Sequence, residues 1–170
     1  MKKLLLMALF LLNITDVFAE DKAGIIPLTV GNYWKFKDQN GVVEYARILE
    51  KKKYNGEIWY KYREMSDDDI FYVQNSEKGQ MEIDFVTGEQ QLVLPYPVEK
   101  ETVYYQYEVK TSVTPDVKVT VPAGTFITYK YDFSVDYPED PVIAWMAPGI
   151  GPVKLLFEGS LSELIEYNLQ

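Results

Sequence analysis

Aromatic and β-branched residues recur at every second position along most of this chain, a period that belongs to strands. In "ETVYYQYEVK", Val103, Tyr105, Tyr107 and Val109 fall on one face, and Tyr104, Gln106, Glu108 and Lys110 on the other. Along "FITYKYDFSVDY", Ile127, Tyr129, Tyr131, Phe133, Val135 and Tyr137 form one apolar stripe, and "VKVTV" repeats the pattern with Val117, Val119 and Val121. Similar runs lie near 42–50, 57–64, 70–74 and 81–86. The 14 tyrosines and 3 tryptophans are residue types that a half-buried strand favours. Turn chemistry separates the runs at Gln39-Asn40-Gly41, Tyr54-Asn55-Gly56, Lys78-Gly79, Thr87-Gly88 and Thr114-Pro115-Asp116. Asn-Gly between two such runs is a hairpin signal, because both residues accept positive φ.

This spacing predicts an all-β fold of ten or more short strands with few helices. A meander of that length accumulates twist, so the expected architecture is a single strongly curved antiparallel sheet, an open or closed barrel, with a β-sandwich as the alternative. The stretch "EKGQMEIDFVTGEQQLVLPYP" pairs short strands around Gly79 and Gly88 and then meets Pro95 and Pro97, which suggests an irregular crossing between two halves of one fold. In "GSLSELIEYNLQ", Ser160 and Glu163 fit a helix capping box, but Ile165, Tyr167 and Leu169 alternate, and a strand is expected. No linker or repeat divides residues 20–170, so one domain is expected there.

The first line, "MKKLLLMALFLLNITDVFAE", reads as an export signal. Lys2 and Lys3 precede an apolar run from Leu4 to Leu12, and Val17-Phe18-Ala19 places small residues for cleavage between Ala19 and Glu20. Nine residues of helix span roughly 14 Å, about half a bilayer core, which is too short to cross. No later stretch is long and apolar enough to span a membrane as a helix. A soluble periplasmic or extracellular protein is therefore expected. Removing Lys2, Lys3 and Asp16 from 17 basic and 26 acidic residues leaves 15 and 25, a formal charge of −10. That balance argues against nucleic acid and anionic lipid surfaces as partners.

The chain has no cysteine and no histidine. Without them, Ser-His-Asp and Cys-His nucleophile systems are excluded, as are ordinary zinc, copper, haem-histidine and iron–sulfur sites. No cofactor is expected. The remaining polar motifs are equally spare. "APGIGPVK" lacks the G-x-x-x-x-G-K-[ST] spacing of a phosphate loop, and a tight turn between two strands fits it better, with Gly149 and Gly151 at positive φ. "VPAGTF" reads as a structural corner in which Pro122 ends one strand, Gly124 bends and Phe126 begins the next. Ser66-Asp67-Asp68-Asp69 lacks the glycine of a calcium loop and reads as a solvated hairpin tip.

Three segments in order, "IIPLTVGNYWKFK" (25–37), "VTVPAGTF" (119–126) and "AWMAPGIGPVKLLFEGSLSELIEY" (144–167), resemble a broad group of exported bacterial β-proteins and lipoproteins. That group carries FPLxxGxxWxY, VPAGTF and WxxxGxGxVK motifs. The matching positions are Pro27, Leu28, Gly31, Trp34, Pro122, Gly124, Phe126, Trp145, Gly149, Gly151, Val153 and Lys154, with isoleucine at 26 and phenylalanine at 36 as departures. The resemblance implies an exported, curved antiparallel sheet of the kind seen in periplasmic lipid and lipoprotein carriers. It supplies no catalytic residue, since glycines, prolines and aromatics fix turns and cores.

The leading functional expectation is a non-enzymatic binding protein whose curved sheet takes a lipid or other apolar small molecule, or an envelope protein. Trp34, Trp59 and Trp145 are the candidate ligand-binding residues, with Trp34 and Trp145 expected to share one face of the sheet. The first alternative is a carbohydrate-binding or polysaccharide-associated module that stacks sugars on exposed aromatics. The second is an enzyme working with carboxylates alone, such as a glycosidase, which needs two carboxyl groups converging in one cleft.

Overall fold

The structure is a computed structural model that describes residues 24–65, 70–106, 108–136 and 139–170. The expected signal and its Ala19/Glu20 cleavage point, and the acidic run 66–69, lie outside the described residues. Twelve strands follow one another: β1 (Tyr33–Asp38), β2 (Val43–Tyr54), β3 (Glu57–Arg63), β4 (Ile70–Ser76), β5 (Gly79–Ile83) and β6 (Gln90–Pro95), then β7 (Thr102–Gln106), β8 (Val109–Val121), β9 (Gly124–Asp132), β10 (Ile143–Ala147), β11 (Gly151–Phe157) and β12 (Ser160–Asn168). They form one antiparallel sheet in the order β6-β5-β4-β3-β2-β1-β12-β11-β10-β9-β8-β7. The sheet curls into a nearly closed barrel with one open seam, between β6 and β7.

Local chemistry makes the hairpins. Asn55 and Gly56 take φ of 49° and 90°, the two positive values that the right-handed strand twist requires, and Tyr54 then pairs with Glu57. All pairings but one join strands consecutive in the chain. The exception is β1 with β12, which zips Tyr33 to Asn168 and Asp38 to Ser162 across the middle of the sheet. The crossing between the two halves runs from Tyr96 to Glu101, follows Pro95 at the end of β6 and contains Pro97.

Period two sends Trp34 and Phe36 of β1 and Ala46 and Ile48 of β2 inward, where all are buried. Lys35 and Lys37 alternate with them and face out. The segment preceding β1 contributes Ile25, Ile26 and Leu28 to the same core, each about 1% exposed. The outer face carries cross-strand ion pairs, Lys35–Glu166 at 3.6 Å and Lys154–Glu163 at 2.9 Å among them. No helix among the described residues is long and apolar enough to cross a membrane.

The motif segments meet at one end of the barrel. The Trp34 indole Nε1 donates to the Ile150 carbonyl at 2.6 Å, and a Cβ added at Gly151 (φ 100°) would lie 3.0 Å from the Trp34 ring. The Gly149 amide donates to Gly24 at 3.2 Å, which ties the turn to the start of the described chain. The long β8–β9 hairpin reaches over to β12, where the Ala123 amide donates to Leu164 at 3.0 Å and Phe126 meets Tyr167 edge-on at 6.3 Å. "APGIGPVK" and "VPAGTF" are thus turns bolted onto Trp34 and β12.

Two stripes differ from a simple reading of alternation. On β7, Tyr104 and Gln106 face inward, while Val103 and Tyr105 are 50% and 70% exposed. On β9, Ile127 is exposed and Thr128 is buried, its hydroxyl donating to Val117 at 2.7 Å. A bulge between Thr114 and Val117 shifts the pairing, so that near the hairpin tip odd-numbered β8 residues Val117 and Val119 face even-numbered Thr128 and Phe126 of β9.

Tyrosine hydroxyls take the place of a ladder at the seam. Tyr104 donates to Val93 at 2.9 Å and Tyr131 to Pro95 at 2.8 Å, covering carbonyls on the free edge of β6. Burial raises the pKa of Tyr104 and Tyr131 far above the ordinary value near 10.0, and burial with the nearby Glu64 charge does the same for Tyr62. A raised folded-state pKa gives stability that is fully present below the ordinary value and lost as pH rises past it. Each such tyrosine is expected to cost about 1.4 kcal/mol per pH unit above pH 10. Urea midpoints measured between about pH 9 and pH 11 check this, and the Tyr104→Phe/Tyr131→Phe variant should show a shallower fall. An unchanged slope would contradict the seam as described.

Candidate functional site: a polar-ended cavity inside the barrel

The inward faces of both halves meet around a cavity of about 150 Å³. One wall is β3 to β6, with Tyr62, Phe71, Val73, Val93 and Leu94; the other is β9 to β11, with Phe133, Ala144, Met146, Pro152 and Leu155. Ile26, from the segment before β1, lies between them. Four polar side chains break the apolar lining: Glu64, Gln80, Glu82 and Gln106.

Register explains why these four point inward. Val73 pairs with Glu82 and Asn75 with Gln80, so both β5 residues share the buried face of β4. Gln106 has the parity of Tyr104. Glu64 follows β3 two residues after Tyr62. Gln80 is 4% exposed, and its Nε2 has no hydrogen-bond partner in the protein; neither does the buried Oε1 of Gln106. An amide end buried in this way costs about 1–3 kcal/mol unless a water or ligand in the cavity meets it, and these two line the same cavity.

A second cavity, of about 270 Å³, adjoins the first through Leu155. Asp38, Glu44 and Glu158 line it with Met65, Phe157, Ser160 and Ser162. Asp38 accepts from the amides of Asn40 at 2.9 Å and Val42 at 2.7 Å. Partial burial pushes its carboxyl upward, but these amide donors outweigh it and leave the pKa below the ordinary value. Among the described residues, neither lining includes a lysine or arginine. Among the described residues no three acidic side chains converge to hold a metal ion.

The three tryptophans lie elsewhere. Trp34 is buried in the core, edge-on to Tyr62 at 6.3 Å. Trp59 is fully buried but outside the main core cluster, and its Nε1 has no hydrogen-bond partner. Trp145 alternates with Ala144 and Met146, so it is on the face opposite Trp34, half-buried, with Lys154 Nζ 5.9 Å from its ring. Of the motif positions, Pro27 accepts a hydrogen bond from the buried Asn32 side chain at 2.8 Å, and the Gly31 amide donates to Ile48 at 3.0 Å. These positions, with Pro122, Gly124, Phe126, Gly149 and Gly151, build the barrel end and do not line the cavity.

In the sequence Gln106 is legible only as a member of the Tyr104 face, and Gln80, Glu64 and Glu82 carry no motif. The available signal was parity: in "GQMEI" a polar pair at every second position alternates with Met81 and Ile83. Replacing Gln80 by leucine removes a buried amide that lacks a protein partner. The variant is expected to gain about 1–3 kcal/mol in urea unfolding; a loss of that size would show the amide satisfied.

No family model matches the chain, and no curated protein matches it. Among solved structures, one provisionally named a lipoprotein, from Parabacteroides distasonis ATCC 8503, is similar at 16% identity and a TM-score of 0.43, over 88% of this chain and 100% of its own. Another, provisionally named an exported protein with a YmcC-like fold, from Bacteroides fragilis NCTC 9343, is similar at 14% identity and a TM-score of 0.48, over 86% of this chain and 100% of its own.

Proposed function

We propose that this is an exported, non-enzymatic binding protein that holds a small, mainly apolar molecule with a hydrogen-bonding end inside the barrel. The observation that carries the reading is the pair of buried amide ends, Gln80 Nε2 and Gln106 Oε1, on one otherwise apolar cavity. One supplies a donor and the other an acceptor, and a ligand with both functions would satisfy them.

Size narrows the class. A cavity of about 150 Å³ accommodates roughly one ring or a short chain, and a whole phospholipid is several times larger. The same limit weighs against the glycosidase alternative. Glu64 and Glu82 line one cavity, but a glycoside brings at least two rings to its carboxylates. The carbohydrate-module alternative has only Trp145 with indole surface on the outer face, since Trp34 and Trp59 are fully buried.

Native mass spectrometry of the exported protein, purified without detergent, tests the proposal. A co-purifying mass of roughly one to two hundred daltons is expected, and the Gln80→Leu/Gln106→Leu variant is expected to lose it. A folded protein that shows only its own mass in both forms, and takes up no small probe, would overturn the reading.

A further inference from the structure

We propose that the interior site selects a small organic cation, a protonated amine on a compact apolar body, over a carboxylate of the same shape. This inference rests on the reading of the cavity as a ligand site and adds the sign of the ligand's charge.

The first support is the segregation of charge by the barrel wall. Among the described residues, the carboxyl and basic groups lining the two adjoining cavities are all acidic: Glu64 and Glu82 within, and Asp38, Glu44 and Glu158 in the space beyond Leu155. Alternation sends the basic residues that flank the lining positions outward. Lys35 and Lys37 oppose the parity of Phe36, Lys61 and Arg63 that of Tyr62, and Lys154 that of Leu155. The charged groups that an approaching ligand meets on the described lining are thus carboxylates, an arrangement that favours cations over anions.

The second support is the buried amide pair. Gln80 is 96% buried, since 4% of its surface is exposed, and it lines the cavity with an amide nitrogen that has no protein partner. Gln106 offers a buried carbonyl oxygen on the same lining, and an ammonium N–H is its natural donor. Gln80 then supplies a donor for a hydroxyl or carbonyl elsewhere on the ligand. A bare divalent cation fits less well. No three acidic groups among the described residues converge on one point, and the walls are mostly apolar.

The test is calorimetric titration of the full exported protein with three probes of one length: hexylamine, hexan-1-ol and hexanoate. Hexylamine is expected to bind about tenfold or more tightly than hexanoate at low salt, with hexanol between them. In the isosteric Glu64→Gln/Glu82→Gln variant, with its fold checked by circular dichroism, the amine preference should shrink while hexanol binding stays. Hexanol binding with equal or tighter binding of hexanoate would overturn the charge selectivity and leave the cavity reading standing. Failure of all three probes to bind would overturn both.

Discussion

The pairing of β1 with β12 is the contact on which the rest of the sheet depends. It joins Tyr33 to Asn168 and Asp38 to Ser162, more than a hundred residues apart, while every other pairing joins consecutive strands. Two six-stranded arms grow outward from it, each by hairpins, and curl until β6 and β7 face each other. The buried Asn32 side chain secures the junction: its Nδ2 donates to Pro27 at 2.8 Å and its Oδ1 accepts from the Gln170 amide at 2.8 Å. Loop-closure entropy grows only slowly with length, so one long-range zipper supported by a buried clasp suffices to hold the arms.

Much of the rest follows from that closure. Because the first and last strands pair in the middle of the sheet, the seam falls between β6 and β7, next to Pro95 and Pro97. Tyrosine hydroxyls then cover carbonyls that a ladder would otherwise occupy. The interior cavity lies between the arms. Its two buried amides come one from each arm, Gln80 from β5 and Gln106 from β7.

The contrast between legible and illegible features has the same origin. Strand number, hairpin turns and the structural character of "APGIGPVK" and "VPAGTF" are local, so spacing and turn chemistry reveal them. Alternation also separates Val103 and Tyr105 from Tyr104 and Gln106. It does not say which face is inside, and here the more apolar pair is exposed because β7 is an edge strand whose inner face meets the seam. Thr128 became buried through a bulge in the neighbouring strand, which "FITYKYDF" does not encode. Trp34 is part of a motif yet belongs to the core, because its indole holds the turn at Ile150. The cavity was least legible, since it depends on the register of strands from opposite arms.

The interior is then an apolar core with a polar gap, enclosed by a charged exterior. The buried carboxamides oppose stability unless a ligand contacts them. The most direct measurement is NMR of the side-chain amides of Gln80 and Gln106 during titration with hexan-1-ol, with the exposed Gln39 as internal control. Both interior amides are expected to shift along one binding curve while Gln39 stays still. Unmoved interior amides, or shifts confined to surface groups, would contradict that expectation.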